Sequence, residues 1–458
     1  MKKTLLFTLA LGLAGAPSLV AGNVDVYIDG ATAFRANVYT ACTKVFSNAP
    51  TIYYGDAAHG GDTNFNSKTA SWAMTGLPTN TITALAGNTL TIHGLFTGSI
   101  QGLQTTEQGT LLTFTAASGA AGGTANAYVT NAPTIGFSDA SGVVSPYPAT
   151  GNYLEEQVAV QPFVMVKAAA AGPLTNINNV TWEQLEYGIP AGRIPLSAWT
   201  CKIADTNTFI YVMERTSDSG TRRNETQGEY YSYGSSVGCY IYDYTNNFWY
   251  PATNTPDSTT SKGAFPNTVV GPAGLANANL NWGPGYVGGG DIATSLGNSS
   301  ITNQAIAYLS IADARTIVNV TGSNWTQVIQ YNGLWPTAAG AGIHGNTGTN
   351  DFSPITLGYY PLYGNEVLVH PENSSTPGTT ISGQDLTYGQ LGDQTTPGSF
   401  MGIFNAQSYQ NGGVLTPGSI ENEIELSKTG SPGATAIRLS DMSNQRPAVG
   451  GTIYPPFN

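Results

Sequence analysis

Charge is what this sequence has least of. Only 10% of its 458 residues are Asp, Glu, Lys or Arg, against roughly 25% in an average soluble protein. The 16 Lys and Arg are outnumbered by 28 Asp and Glu, for a net charge of -12 and a pI near 4.6. So few basic residues make no stripe or patch, which excludes binding through a nucleic-acid phosphate backbone. Low charge does not mean disorder here. A disordered chain pairs high charge with few apolar residues, whereas this one is 41% hydrophobic and holds 25 Tyr. Beyond the N-terminus no apolar run approaches the roughly 18 residues that cross a bilayer. The four histidines (His59, His93, His344, His370) lack metal-ligand spacing, and no HExxH, closely spaced Cys pair or GxSxG occurs. These absences speak against a zinc enzyme or a serine hydrolase of familiar type, and the expectation is a non-enzyme without cofactor or metal.

What is present begins with an export signal. Met1-Lys2-Lys3-Thr4 precedes an apolar run from Leu5 to Ala16, and Leu19-Val20-Ala21-Gly22 supplies small residues for cleavage. The pattern is that of a secretory signal peptide over residues 1–22. No Cys lies near the cleavage site, so a lipid anchor is not expected. Loss of Lys2 and Lys3 takes the charge from -12 to -14. The expected location is periplasmic or secreted. In such an oxidising compartment one disulfide could form among three cysteines, and Cys201–Cys239 closes the shortest loop. Cys42 sits on the apolar face of an expected helix and reads as a buried thiol.

Short apolar strands alternate with helices. Val24–Ile28 alternates as a strand and runs into a helix carrying Phe34, Val38, Ala41, Cys42 and Val45 on one face. Further strands are expected at Thr89–Ile92, Thr134–Phe137, Val158–Val166, Phe209–Met213 and Ala305–Ile311. Thr181-Trp182-Glu183-Gln184 has the form of a capping box. Asn246–Asn281 and Gly340–Asp351, rich in Gly, Asn, Thr and Pro, read as surface loops. Trp182, Trp282 and Trp325 suit core or interface positions. Asp291, Asp351 and Asp385 lie in polar loops without the spacing of a calcium-binding EF-hand.

Chemistry concentrates where strands run into helices. These junctions combine small residues, hydroxyls and two charges: Thr32 and Phe34 in the first, Ser99 in the second, Ser138-Asp139 in the third, and Arg215-x-x-x-Ser219-Gly220-Thr221 in the fourth. A helix start offers unpaired N–H donors and the positive end of a dipole, small residues admit a ligand to the backbone, and a guanidinium suits an oxyanion. Taken one at a time, an N-cap hydroxyl or a turn Asp explains each segment as well.

In order along the chain the segments resemble the phosphate-binding proteins of phosphate ABC transporters. Ile28-Asp29-Gly30-Ala31-Thr32-Ala33-Phe34 is similar to that family's first anion loop with one extra Ala. Gly136-Phe137-Ser138-Asp139-Ala140 is similar to its Gly-x-Ser-Asp segment, and Arg215 to Thr221 keeps its Arg and Ser-Gly-Thr. Gly288-Gly289-Gly290-Asp291 with Ala305–Tyr308, then Asn332-Gly333 and Tyr359–Tyr363, resemble its later segments.

The resemblance implies an α/β, two-lobed type II periplasmic-binding-protein fold with long loop insertions. Lobe 1 would span residues 23–160 and 313–458, and lobe 2 residues 161–312. It implies inorganic phosphate as ligand and an ABC-transporter permease as partner, with no nucleic acid and no membrane span once the signal is removed. The implied phosphate-binding residues are Thr32, Phe34, Ser99, Ser138, Asp139, Arg215, Ser219, Gly220 and Thr221. Either Ala33 or Phe34 would supply the backbone donor of the first loop. The family's Asp two residues after the Arg is replaced by Ser217, with Asp218 following. The low charge, the polar loops and the length leave a second reading open, a structural or adhesive surface protein on the same fold. A phosphatase would need an activated nucleophile or a metal cluster, and neither is visible.

Overall fold

The fold is that of a computed structural model, described over residues 22–56, 70–142, 153–168, 172–215, 219–225, 239–243, 248–252, 285–286, 288–297, 304–320, 328–338, 350–372, 378–408, 411, 413–429 and 435–443. Most of the expected elements fall inside these ranges; residues 1–21 of the expected signal peptide, Ser217, Asp218, Trp282, Trp325 and residues 340–349 lie outside them.

One mixed sheet organises the molecule. Its strands are β1 (Asn23–Gly30), β2 (Thr51–Tyr54), β3 (Ser71–Gly76), β4 (Thr89–Leu95), β7 (Ile135–Ser138), β8 (Tyr153–Lys167), β9 (Asn179–Val180), β10 (Arg193–Pro195), β11 (Phe209–Met213), β14 (Ala305–Ser310), β15 (Val328–Tyr331) and β16 (Tyr363–Pro371). The main path runs β10-β11-β14-β8-β16-β7-β1-β4-β3-β2, with β15 and β9 branching from β8. Two antiparallel hairpins stand apart, β5 (Leu112–Thr115) with β6 (Tyr128–Asn131) and β12 (Cys239–Asp243) with β13 (Phe248–Ala252). The fold is therefore α/β with a large mixed sheet.

The expected strands recur with small shifts. Ile311 does not extend β14 but opens a helix, Ile311–Val320, so the apolar run is divided between two elements. Phe248–Ala252 forms a strand inside the stretch read as loop, because its aromatic residues can pair with Cys239–Asp243. Cys201 carries a free, exposed thiol, so the expected Cys201–Cys239 disulfide is not formed. Cys42 is buried, as its helical position implied.

Side chains pack into two large cores, with a small third cluster of Ile100, Leu103, Ala140, Val367 and Val369. The first joins Val26, Ile28, Phe34, Val38, Trp72, Ile92, Phe137, Val158 and Ala159 with Leu368, Phe400, Phe404, Ile420 and Ile424. The second joins Val160 to Val166 with Ile210, Val212, Ile306, Leu309, Ala314, Ile329, Ile355, Tyr360 and Tyr363. The division falls within β8, between Ala159 and Val160, and again within β16, between Tyr363 and Leu368. Both strands are long and largely buried. A late segment straps the crossing, with Val160 and Ile437 exchanging both backbone bonds at 2.8 and 2.9 Å. No helix among the described residues is long and apolar enough to cross a membrane.

Candidate functional site

Three parallel strands, β4, β1 and β7, end side by side, with Ile28 level with Gly94 on one flank and Ile135 on the other. Their carboxyl ends therefore deliver three loops to one edge, the place where open α/β sheets hold ligands. The loop after β1 begins at Gly30, whose φ of 146° and whose contact with the Phe137 backbone leave no room for a Cβ. Asp29, fully buried, ties this loop to the next. Its carboxylate accepts from Gly30 N (2.8 Å), Thr97 N (3.1 Å), Thr97 Oγ1 (2.7 Å) and Thr105 Oγ1 (2.7 Å). Burial pushes its pKa up to about 6, against the pull of these donors. Helix α1 (Arg35–Lys44) follows β1, and α2 (Ser99–Glu107) follows β4 with Gly98 at its N-cap.

Asp139, at the end of β7, is the centre of the cluster and is 1% exposed. Ser99 Oγ donates to its Oδ1 from the first turn of α2. Thr221 Oγ1 donates to its Oδ2 at 3.1 Å, and Asn224 Nδ2 donates to its main-chain oxygen. Burial raises the Asp139 pKa, while Ser99, the Arg215 charge and Thr221 pull it down. Thr221 and Asn224 come from the other half of the molecule, in and just after the short helix α3 (Gly220–Arg223) that follows β11. Ser219 caps that helix, accepting from Arg222 N at 3.3 Å. Gly220 packs so tightly that a Cβ there would lie 2.6 Å from Ser99 Cβ and 3.1 Å from Asp139 Cγ. Arg215 is buried, its backbone bridged to Tyr286, and its carbonyl accepts from Arg222 Nη1 at 2.9 Å.

The structure thus brings together Ser99, Asp139, Arg215, Ser219, Gly220 and Thr221. Ser138 is adjacent, but its hydroxyl is spent within its own turn, donating to Ala140 O at 2.6 Å and accepting from Ala140 N at 3.1 Å. Phe34 points its ring into the first core, 6.0 Å from the Phe137 ring, and its N–H donates to Ala31 O at 3.2 Å. That N–H is engaged, which leaves Ala33 as the open donor of the two. Thr32 is half-buried in the same turn at the same sheet edge. Sequence reading passed over Asp29, Asn224 and Arg222, whose contributions depend on contacts between distant segments. A buried carboxyl ringed by hydroxyls, a guanidinium and two helix starts can hold a tetrahedral oxyanion that still carries a proton, with neutral donors around the oxygens and the carboxylate on the hydroxyl.

No family model and no curated protein matches the chain. Solved structures do. Among the solved structures it resembles are a phosphate transport receptor and a phosphate binding protein. One is an ABC-type phosphate transport receptor from Vibrio cholerae, at 12% identity and TM-score 0.34 over 77% of this chain and 89% of that one. A second is the phosphate binding protein from Stenotrophomonas maltophilia, at 14% identity and TM-score 0.32 over 76% and 78%. A third is PstS from Borrelia burgdorferi, at 11% identity and TM-score 0.29 over 76% and 87%. Likeness at this level carries no weight for the chemistry, which rests on the geometry above. Among the described residues no cluster of His, Cys, Asp and Glu could hold a metal ion.

Proposed function

We propose that the protein captures inorganic phosphate outside the cytoplasm and delivers it to an ABC-transporter permease. The observation that carries this reading is the meeting of Ser99 and Asp139 with Arg215, Ser219, Gly220 and Thr221 across the two cores. In this reading the cores are two lobes; the expected end of the second lobe at residue 312 moves to about 363, because Val328, Ile329, Ile355, Tyr360 and Tyr363 pack into its core, and β16 leads back into the first. Opening between them would admit the anion, and closure would desolvate it. Arg215, the start of α3 and the Ser219 hydroxyl would donate to phosphate oxygens, and the Ser99 and Thr221 hydroxyls would turn from Asp139 onto the anion. Thr32 and the Ala33 N–H would join from the first loop. Asp139 would accept the phosphate proton. Sulfate has no such proton, so its oxygen would face the carboxylate acceptor to acceptor, at a cost of about 1–3 kcal/mol or more for charged groups. That cost is enough for a tenfold to hundredfold preference.

Calorimetric titration of the protein lacking residues 1–22 with phosphate and with sulfate tests this. Phosphate should bind about tenfold to hundredfold more tightly than sulfate. Arg215→Ala should weaken phosphate binding by at least tenfold, and Asp139→Asn should narrow the gap between the two anions. Equal binding of both anions by the unaltered protein, or binding of neither, overturns the reading.

A further inference from the structure

Beside Asp139 lies a second carboxyl, Glu366 of β16. It is 0% exposed, and among the described residues neither of its oxygens has a hydrogen-bond partner. Buried polar atoms left without partners are rare in folded proteins and call for an explanation. Strand pairing places the residue. Val367 of β16 lies opposite Ser138 of β7, so one antiparallel step further sets Glu366 across from Asp139. Strand alternation gives its direction. Gly364, two residues away on the same face, would place a Cβ 2.4 Å from Asn224 Nδ2, and that amide donates to the Asp139 main-chain oxygen. The register shift between β16 and β8 comes from an extra residue in β8, Val158, so β16 itself keeps its alternation. Gly364 and Glu366 thus face the same cluster.

The charged groups on elements packed against this part of β16 are few in kind. They are Asp139 at the end of β7, Arg215, Arg222 and Arg223 with Glu214 and Glu225 around α3, Glu107 on α2, Glu155 and Glu156 on β8, and His370 further along β16. Burial raises the Glu366 pKa well above the ordinary carboxyl range, and the charge of Asp139 adds to the rise. A carboxylic acid kept neutral in this way becomes a hydrogen-bond donor, which a carboxylate cannot be.

We propose that Glu366 is a further ligand-binding residue of the site, donating its carboxyl O–H to the bound oxyanion while Asp139 accepts the anion's own proton. This rests on the phosphate-binding reading. The two carboxyls then play opposite parts on one ligand, and the unsatisfied oxygens of Glu366 gain partners on binding. No covalent bond changes, and the proton stays with Glu366.

The test is phosphate titration of the protein and of Glu366→Gln across the alkaline range, above the second ionisation of phosphate, where the ligand's charge no longer changes. Gln is a permanent neutral donor of nearly the same shape. The unaltered protein should lose affinity by up to about tenfold per pH unit once Glu366 ionises, while Glu366→Gln should bind as well near neutrality and stay flat. Glu366→Leu, which cannot donate, should bind at least tenfold more weakly at every pH. An equal alkaline loss in the Gln variant, or a Leu variant that binds like the unaltered protein, overturns the proposal. Should the Leu variant not fold, the comparison of Gln with the unaltered protein decides alone. If the unaltered protein binds no phosphate at any pH, the functional reading falls, and this proposal falls with it.

Discussion

Asp29 shows how a single buried residue can tie two loops together at a candidate site. All of its bonds are accepted, from Gly30, Thr97 and Thr105, so an amide in its place would turn a donor toward donors. Asp29→Asn is expected to destabilise the protein by about 1–3 kcal/mol, read as a lower denaturant midpoint in chemical unfolding. Asp139 differs from it only in what surrounds it. Its partners come from two parts of the chain that the sequence places far apart, and this convergence makes it the centre of a candidate site. The Ser-Asp pair could be picked out in the sequence, as could the Arg and the Ser-Gly-Thr. Glu366 could not. An isolated Glu in an apolar strand carries no signature until the strand's neighbours are known.

Helices and turns were the most legible elements, because their signals are local. The helix α4 (Trp182–Ala191) begins with the expected capping box, Thr181 Oγ1 accepting from Gln184 N at 3.3 Å and Gln184 Oε1 accepting from Thr181 N at 2.9 Å. Thr181→Ala should cost about 0.5–2 kcal/mol of stability and leave phosphate affinity unchanged, which calorimetry on the folded variant would show. The opposite pattern is expected at α3. A methyl at Gly220 would strike Ser99 and Asp139, so Gly220→Ala should force the two helix starts apart. The expected result is at least a tenfold loss of phosphate affinity, with circular dichroism unchanged. The boundary between β14 and the helix at Ile311 was not legible, since an apolar run looks the same in a buried strand and a buried helix turn.

At the scale of the molecule, two cores share one sheet through β8 and β16, and their acids govern its response to pH. Asp29 and Glu107 are both pushed up to about 6, chiefly by burial. A carboxyl with a raised folded pKa binds its proton more tightly in the folded than in the unfolded state. Its contribution is therefore full below the ordinary carboxyl pKa and is lost as pH rises through about 6. Stability, followed as the denaturant midpoint, should fall between about pH 4 and pH 7, and the growing negative charge acts in the same direction. Asp393 and Asp441, held low by hydrogen bonds and by nearby positive charge, act oppositely and in stronger acid. A midpoint that climbed from pH 4 to pH 7 would contradict this assignment.

By itself the sequence determined the α/β alternation, most strands to within a few residues, the helix caps and the residue types gathered at the junctions. Those features depend on neighbours a few positions away, through alternation, helical period and side-chain capping. Tertiary structure alone decided which junctions meet, that Ser138 spends its hydroxyl in its own turn, that Phe34 is core, that Cys201 stays free, and that Glu366 stands beside Asp139. Apart from the local turn of Ser138, these depend on strand order and on contacts between segments distant in the sequence. The scarcity of charge was plain from composition. That several of the few charges, Asp139, Arg215, Arg222 and Glu366 among them, meet at one buried junction, where a low dielectric magnifies each of them, is a property of the fold.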